Sequence, residues 1–315
     1  MNLLIVLPAA NDPDGVLVKE LRRLFPGLTI TNVERHDQAW HHIDQTDILL
    51  TFGKLITDEL VSAAVGLKWV QVLGSGLDGI TDRSSIPKNI LITSAHGIQA
   101  VPVSEAAIML MLSCARDVPQ LVRNQDKALW HRQPPRLLNE STVVIVGVGA
   151  IAEALALKCA AFGMEVVGVS SRSSAPGFGR MFRYERIQDA AAIADYFVVL
   201  TPLGPTTRGV IDEQVLRAIK SSGWLINLSR GGIVDEAALV ATLRSGHLAG
   251  AALDVFVDEP LSRDHPLWTT RGVLISPHIG GLSNRYVKDL VPLLKFNVGR
   301  FLAGDLEAMR NIVRR

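Results

Sequence analysis

The sequence predicts an α/β protein: a doubly wound parallel sheet together with a second, smaller α/β unit. Three observations predict it. The chain has 315 residues, more than the roughly 250 to 300 that one hydrophobic core serves. Short β-branched runs alternate with helix-length stretches, the pattern of parallel strands joined by crossover helices. A composition of 48% hydrophobic and 20% charged residues is that of an ordinary globular protein, which excludes a disordered or low-complexity chain.

The opening Leu3 to Leu7 reads as a buried strand and not as a leader. No basic segment precedes it, and the chain turns polar at Asn11-Asp12-Pro13-Asp14. Strands follow at Thr29 to Val33, Ile48 to Thr51, Trp69 to Leu73 and Ile90 to Thr93, with helical spacing at Gly15 to Phe25 and Asp58 to Val65. Val103 to Arg116 is a helix that is apolar nearly all round. Glu105, Arg116 and its short length argue against a membrane span. Such a helix must be buried on every side, and the pattern leaves open whether by the other domain, by a second subunit or within one core. Exposed on a monomer it would form a large apolar patch, so a homodimer is expected. Asp126 to Asn139, with Trp130, Pro134 and Pro135, shows no periodicity and reads as a connection.

A second series begins at Ser141. Its strands are Thr142 to Val146, Glu165 to Val169, Tyr196 to Leu200, Trp224 to Leu228, Ala249 to Leu253 and Val273 to Ile275, six in all. An amphipathic segment, Asn284 to Ala303, then remains to be buried. The smaller domain is therefore expected to be discontinuous, 1–98 with 284–315, and the larger to span 99–283.

The 32 basic and 31 acidic side chains leave a formal net charge of +1, so the surface has no field to draw in nucleic acid. Cys114 and Cys159 are far apart and lack C-x-x-C spacing. No disulfide framework or thiolate metal site is expected, and a reducing, cytoplasmic compartment is. His36, His41, His42 and Asp44 have no clean ligand spacing and read as solvated surface.

Directly after Thr142 to Val146 comes Gly147-Val148-Gly149-Ala150-Ile151-Ala152, which runs into a helical stretch from Glu153 to Phe162. This is a G-x-G-x-x-A dinucleotide fingerprint between strand and helix. Gly147 permits the tight turn, Gly149 lets backbone approach a pyrophosphate, and Ala152 allows close helix packing. The acid expected about 20 residues on, for the ribose hydroxyls, is missing. The chain reads Ser170-Ser171-Arg172-Ser173-Ser174 instead. Arg172 can take a 2′-phosphate with its planar fork while Ser171 and Ser173 donate to it, which points to NADP. A solvated loop arginine is the competing reading.

Three segments fall at successive strand ends, where such sheets bind ligands. They are Asn227-Leu228-Ser229-Arg230-Gly231-Gly232, then Asp254-Val255-Phe256-Val257-Asp258-Glu259-Pro260, then Pro277-His278-Ile279-Gly280-Gly281. With the fingerprint they bring an Arg, a carboxylate and a His to one sheet edge. Together these segments resemble the D-isomer-specific 2-hydroxyacid dehydrogenases over nearly the whole chain. Val103-Ser104-Glu105 and Gly74-Ser75-Gly76-Leu77-Asp78 look like further segments of that family, and Ser171-Arg172-Ser173 looks most like its NADP-dependent glyoxylate and hydroxypyruvate reductases.

The resemblance implies a Rossmann-type sheet with a flavodoxin-like second domain, and a reductase that converts small 2-keto acids to D-2-hydroxy acids with NADPH. It implies that Arg230 grips the substrate carboxylate and polarises the ketone, and that His278 donates the proton. Glu259 would hold the His278 ring and favour its cation, and Ser75 and Gly76 would add backbone donors to the substrate. Cofactor contacts implied beside Gly147, Gly149, Ala150, Ile151, Ser171, Arg172 and Ser173 are Pro202, Leu203, Thr207, Leu228, Ser229, Asp254 and Gly280. Ala152 in place of the more usual glycine is an accepted variant. Gly280-Gly281-Leu282-Ser283-Asn284 departs from the commoner Ala-Gly-Ala-Thr and bears on nicotinamide and substrate fit.

The alternatives are an NAD-dependent D-2-hydroxyacid dehydrogenase of another substrate and a non-enzymatic dinucleotide sensor of the corepressor kind. A formate dehydrogenase is disfavoured because the counterpart of Glu259 there is Gln. No regulatory domain after Arg315 and no disordered extension are the features expected to set this chain apart from the longer phosphoglycerate dehydrogenases and from corepressors.

Overall fold

A computed structural model describes residues 1–80 and 85–314. The chain forms two compact units, Met1–Gln99 with Leu282–Arg315, and Ala100–Gly281.

The first unit starts as β1 (Asn2–Val6), α1 (Val16–Leu24), β2 (Thr29–Val33), α2 (His36–Ala39), β3 (Ile48–Thr51), α3 (Asp58–Ala63), β4 (Trp69–Val72) and β5 (Leu91–Thr93). Five parallel strands lie in the order β2-β1-β3-β4-β5, the doubly wound order of flavodoxin-like sheets. Every residue of β3 and β4 is buried, as befits strands covered on both faces. Asp12 caps α1 by accepting from the backbone N–H groups of Val16 and Leu17 at 2.8 and 3.0 Å. Leu17, Val18 and Leu21 form the buried face of that helix, and Arg22 and Arg23 lie in its last turn, where the helix dipole favours cations.

The second unit comprises α4 (Ala100–Ala115), α5 (Val118–Asp126), β6 (Thr142–Val146), α6 (Ala150–Ala161), β7 (Glu165–Val169), β8 (Arg180–Phe182), α7 (Ile187–Ala191), β9 (Tyr196–Val199), α8 (Glu213–Ala218), β10 (Trp224–Asn227), α9 (Glu236–Arg244), β11 (Gly250–Leu253) and β12 (Val273–Ile275). Its seven strands are all parallel, in the order β8-β7-β6-β9-β10-β11-β12. The order reverses between β6 and β9, and the crevice at such a switch point takes ligands. Sequence reading expected six strands. β8 is the seventh, a three-residue edge strand too short to show a period.

α4 is buried along one face by its own unit. Val103, Ala107, Leu110, Met111 and Cys114 pack with Leu155 and Cys159 of α6 and with Val143 and Ile226 of the sheet. Val101 and Met109, at 56% and 52% exposure, lie outside that contact. The second unit by itself therefore covers one face of this helix and not the other.

Beyond the second unit, α10 (Tyr286–Leu302) and β13 (Ile312–Arg314) complete the first. Tyr286, Leu290, Leu293, Leu294 and Val298 of α10 share a core with Leu3, Leu17, Leu21 and Trp69. Asn297 is fully buried. It donates to Gln71 Oε1 at 3.0 Å and accepts from the Arg310 N–H at 2.8 Å, while Thr93 joins Gln71 to the Trp69 indole N–H. Each buried polar atom named here has its partner, so the network fixes the seating of α10 without a desolvation penalty. β13 then pairs antiparallel with β5.

Candidate active site

The turn after β6 is shaped by two glycines. Gly147 has φ +92°, and a Cβ there would lie 2.5 Å from the backbone nitrogen of Thr201, so backbone after β9 closes against it. Gly149 is the N-cap of α6, is exposed, and would place a Cβ in open space. No side chain among the described residues caps that helix. The first amides of α6 and the partial positive charge there thus face an unobstructed cradle, which fits a pyrophosphate. Ala150 and Ile151 are half-buried in the first turn, and Ala152 is packed beneath it.

At the end of β7, buried Ser170 accepts the Arg172 N–H at 3.2 Å, and Ser171, Arg172 and Ser173 are exposed. Arg183 donates to the Ser171 carbonyl. Arg172 is engaged through Nη1 with Glu153 Oε1 at 2.8 Å, a partner that sequence reading did not find because it comes from the first turn of α6. In the loop after β9, Thr207 Oγ1 donates to the Pro202 carbonyl at 2.7 Å and accepts from the Gly204 N–H at 2.8 Å. Leu203 packs on the sheet core beside it.

Three loops at the carboxyl ends of β10, β11 and β12 carry Arg230, Glu259 and His278. After β10, Asn227 Oδ1 accepts from the Ser229 N–H and hydroxyl at 3.1 and 2.7 Å, and its amide donates to the Arg230 carbonyl at 3.3 Å. Leu228 and Ser229 are buried, and Arg230 Nη1 donates to the Ser229 carbonyl at 2.7 Å. A Cβ on Gly231 would fall 1.9 Å from the Phe256 carbonyl oxygen, so only glycine lets the Arg230 loop touch the backbone that leads to Glu259.

Asp254, at the end of β11, is buried and serves as a brace. It accepts from the Ser276 hydroxyl at 2.6 Å, from the Ile279 N–H at 3.0 Å and from the Gly280 N–H at 2.9 Å. Those bonds hold His278 at φ +54°, a left-handed conformation that costs a non-glycine residue about 1 to 3 kcal/mol and concentrates at functional sites. His278 Nδ1 meets both oxygens of Glu259, at 2.8 and 2.7 Å, with the two side chains 34% and 25% exposed. A carboxylate only accepts, so Nδ1 carries the hydrogen and Nε2 is the atom left to exchange a proton with a ligand.

The structure therefore brings Glu259 and His278 into contact and sets Arg230 on the neighbouring loop. Ser75 and Gly76 belong to the first unit, in the loop after β4, where the Ser75 N–H donates to Gln99 Oε1 at 3.3 Å. Gly231, Ser276 and Glu153 were missed by sequence reading. Only the Gly-Gly pair after Arg230 gave a signal, since two glycines together mark a close backbone approach.

Residues 108–280 match the family model for the NAD-binding domain of D-isomer specific 2-hydroxyacid dehydrogenases. The chain is 29% identical over 276 residues to the D-3-phosphoglycerate dehydrogenase of Methanocaldococcus jannaschii, covering 86% of this chain and 52% of that one. It thus spans about half the length of the curated relatives it matches. Among solved structures, a D-isomer specific 2-hydroxyacid dehydrogenase from Xanthobacter autotrophicus Py2, in complex with NADPH and MES, superposes with a TM-score of 0.84 at 30% identity, covering 99% of this chain and 97% of that chain. The NADPH-dependent glyoxylate/hydroxypyruvate reductase of Sinorhizobium meliloti, in complex with NADP and sulfate, superposes with a TM-score of 0.84 at 25% identity, covering 99% and 98%.

Proposed function

Because the chain belongs to the D-isomer specific 2-hydroxyacid dehydrogenases, we propose that it reduces small 2-keto acids, glyoxylate and hydroxypyruvate first, to D-2-hydroxy acids with NADPH. The observation that carries this reading is the doubly hydrogen-bonded Glu259–His278 pair at the ends of strands in the sheet that also bears the dinucleotide cradle. A bound nicotinamide supplies hydride to the keto carbon, and the reaction then needs one proton on the carbonyl oxygen. His278 gives that proton from Nε2, with Glu259 holding the ring and balancing the imidazolium charge. Arg230 binds the substrate carboxylate with two parallel hydrogen bonds and draws electron density toward the carbonyl oxygen. Asp254 keeps the His278 loop in place for both steps.

The preference for NADPH rests on Arg172, Ser171 and Ser173 where an acid would serve NAD. It is supported by the NADPH and NADP found in the Xanthobacter and Sinorhizobium proteins. A second reading, an NAD-dependent dehydrogenase of another 2-hydroxy acid, is favoured by the curated relatives, which are D-3-phosphoglycerate dehydrogenases. The working form in this reading is a cytoplasmic homodimer. Its interface is the apolar surface of Val101, Met109, Leu121, Val122 and Trp130, the last 90% exposed. A stable monomer on sedimentation would reject that form.

The experiment is a substrate panel followed at the nicotinamide absorbance. NADPH oxidation with glyoxylate or hydroxypyruvate supports the first reading, and turnover only of 3-phosphoglycerate with NAD selects the second. No turnover with any 2-keto or 2-hydroxy acid would leave a non-enzymatic dinucleotide sensor.

A further inference from the structure

We propose that Glu153 is a specificity-determining residue for the cofactor: its carboxylate holds Arg172, must release it when a 2′-phosphate binds, and so tempers the preference for the phosphorylated dinucleotide. The inference rests on the reading of Arg172 as the phosphate ligand. Along the sequence, the end of β7 lacks a carboxylate. In space it has one. Glu153 lies one residue beyond the fingerprint, and its Oε1 is 2.8 Å from Arg172 Nη1.

The pair is built to open. Its side chains are 47% and 34% exposed, and ion pairs so placed are worth little against a competing anion. The Arg172 backbone is held by Ser170, so the guanidinium is the part free to swing. The other cations close by are otherwise engaged: Arg183 donates to the Ser171 carbonyl, and Arg180 and Arg186 lie over the Phe182 ring. A phosphate monoester on Arg172 brings about 1.5 to 2 negative charges next to the Glu153 carboxylate. Coulomb repulsion across one guanidinium in solvent, reduced by physiological salt, amounts to about a three- to tenfold loss of affinity. A 2′-hydroxyl carries no charge and meets no such opposition.

The test uses the whole protein and two nicotinamide-free probes, adenosine 2′,5′-bisphosphate and 5′-AMP. Binding is measured by calorimetry for wild type, Glu153→Gln, Glu153→Ala and Arg172→Ala. Wild type should bind the bisphosphate more tightly than AMP, and Arg172→Ala should lose that discrimination. Both Glu153 variants should raise the ratio of bisphosphate to AMP affinity by about three- to tenfold. A ratio that is unchanged or smaller in both Glu153 variants, with discrimination still lost in Arg172→Ala, would overturn the role of Glu153 alone. No preference for the bisphosphate in wild type would overturn the cofactor reading and this inference with it.

Discussion

Replacing Gly231 by alanine probes how the Arg230 loop is seated against the backbone that leads to Glu259. The added Cβ would lie 1.9 Å from the Phe256 carbonyl oxygen, 2.0 Å from its carbon and 2.4 Å from the Val257 nitrogen. All three are backbone atoms, so no rotamer relieves the overlap, and a tolerable contact of 3.0 Å requires the loops to part by about 1 Å. A misplacement of about 1 Å at a reacting centre costs on the order of 100-fold, or about 2.7 kcal/mol of barrier. The strain should also lower stability by about 1 to 3 kcal/mol. The dinucleotide cradle sits after β6 and should keep its affinity. The assay is kcat/KM for the keto acid with NADPH, beside nucleotide binding by nicotinamide fluorescence and a urea titration. Gly149→Ala is the counterpart: its Cβ meets nothing within 4 Å, so the protein should fold normally and lose cofactor affinity. A folded Gly231→Ala protein with undiminished kcat/KM would refute the coupling of the two loops.

Asp254→Ala leaves the Ser276 hydroxyl and the Ile279 and Gly280 N–H groups without their acceptor. It should destabilise the protein by at least about 1 to 3 kcal/mol in urea and lower kcat through the loosened His278 loop; wild-type stability would contradict the bracing role. Burial pushes the Cys114 and Cys159 thiols up to about 12 from an ordinary 9.0. The unfolded chain therefore ionises first, and stability present below about pH 9 should fall as pH rises toward 12, by about 1.4 kcal/mol per pH unit for each thiol. The Cys114→Ala/Cys159→Ala protein should show a shallower alkaline slope in urea midpoints, and an identical slope would count against it.

Much of the fold was legible because parallel strands buried on both faces are written as unbroken β-branched runs. Thr142–Val146 and Glu165–Val169 coincide with the sequence reading residue for residue, and the three-residue edge strand Val273–Ile275 does so because all three of its residues are apolar. The strands that escaped, Arg180–Phe182 and Ile312–Arg314, are three-residue edges, whose pairing comes from neighbours and not from any local period. Val118–Asp126 also escaped, because Pro119 sits within it; as the second helical residue, that proline starts the helix instead of breaking it. In the site, Arg230, Glu259 and His278 could be placed at strand ends because their segments follow apolar runs directly. The Glu153–Arg172 pair joins residues 19 positions apart on different elements, and the close approach at Gly231 depends on how two loops fold over each other, so neither leaves a linear trace. The family resemblance implies Asp254 only as a cofactor contact, whereas its brace on Ile279 and Gly280 is visible only in space.

Proton donation by His278 is tested most directly by a single-turnover experiment with hydroxypyruvate, in which NADPH-loaded wild type and His278→Gln are mixed with the keto acid and followed at the nicotinamide absorbance. The mechanism predicts one NADPH consumed per D-hydroxy acid formed in wild type. In His278→Gln, hydride transfer should slow by about two to four orders of magnitude, the usual contribution of one positioned acid, with NADPH affinity unchanged. Near-normal transfer without His278 would contradict it.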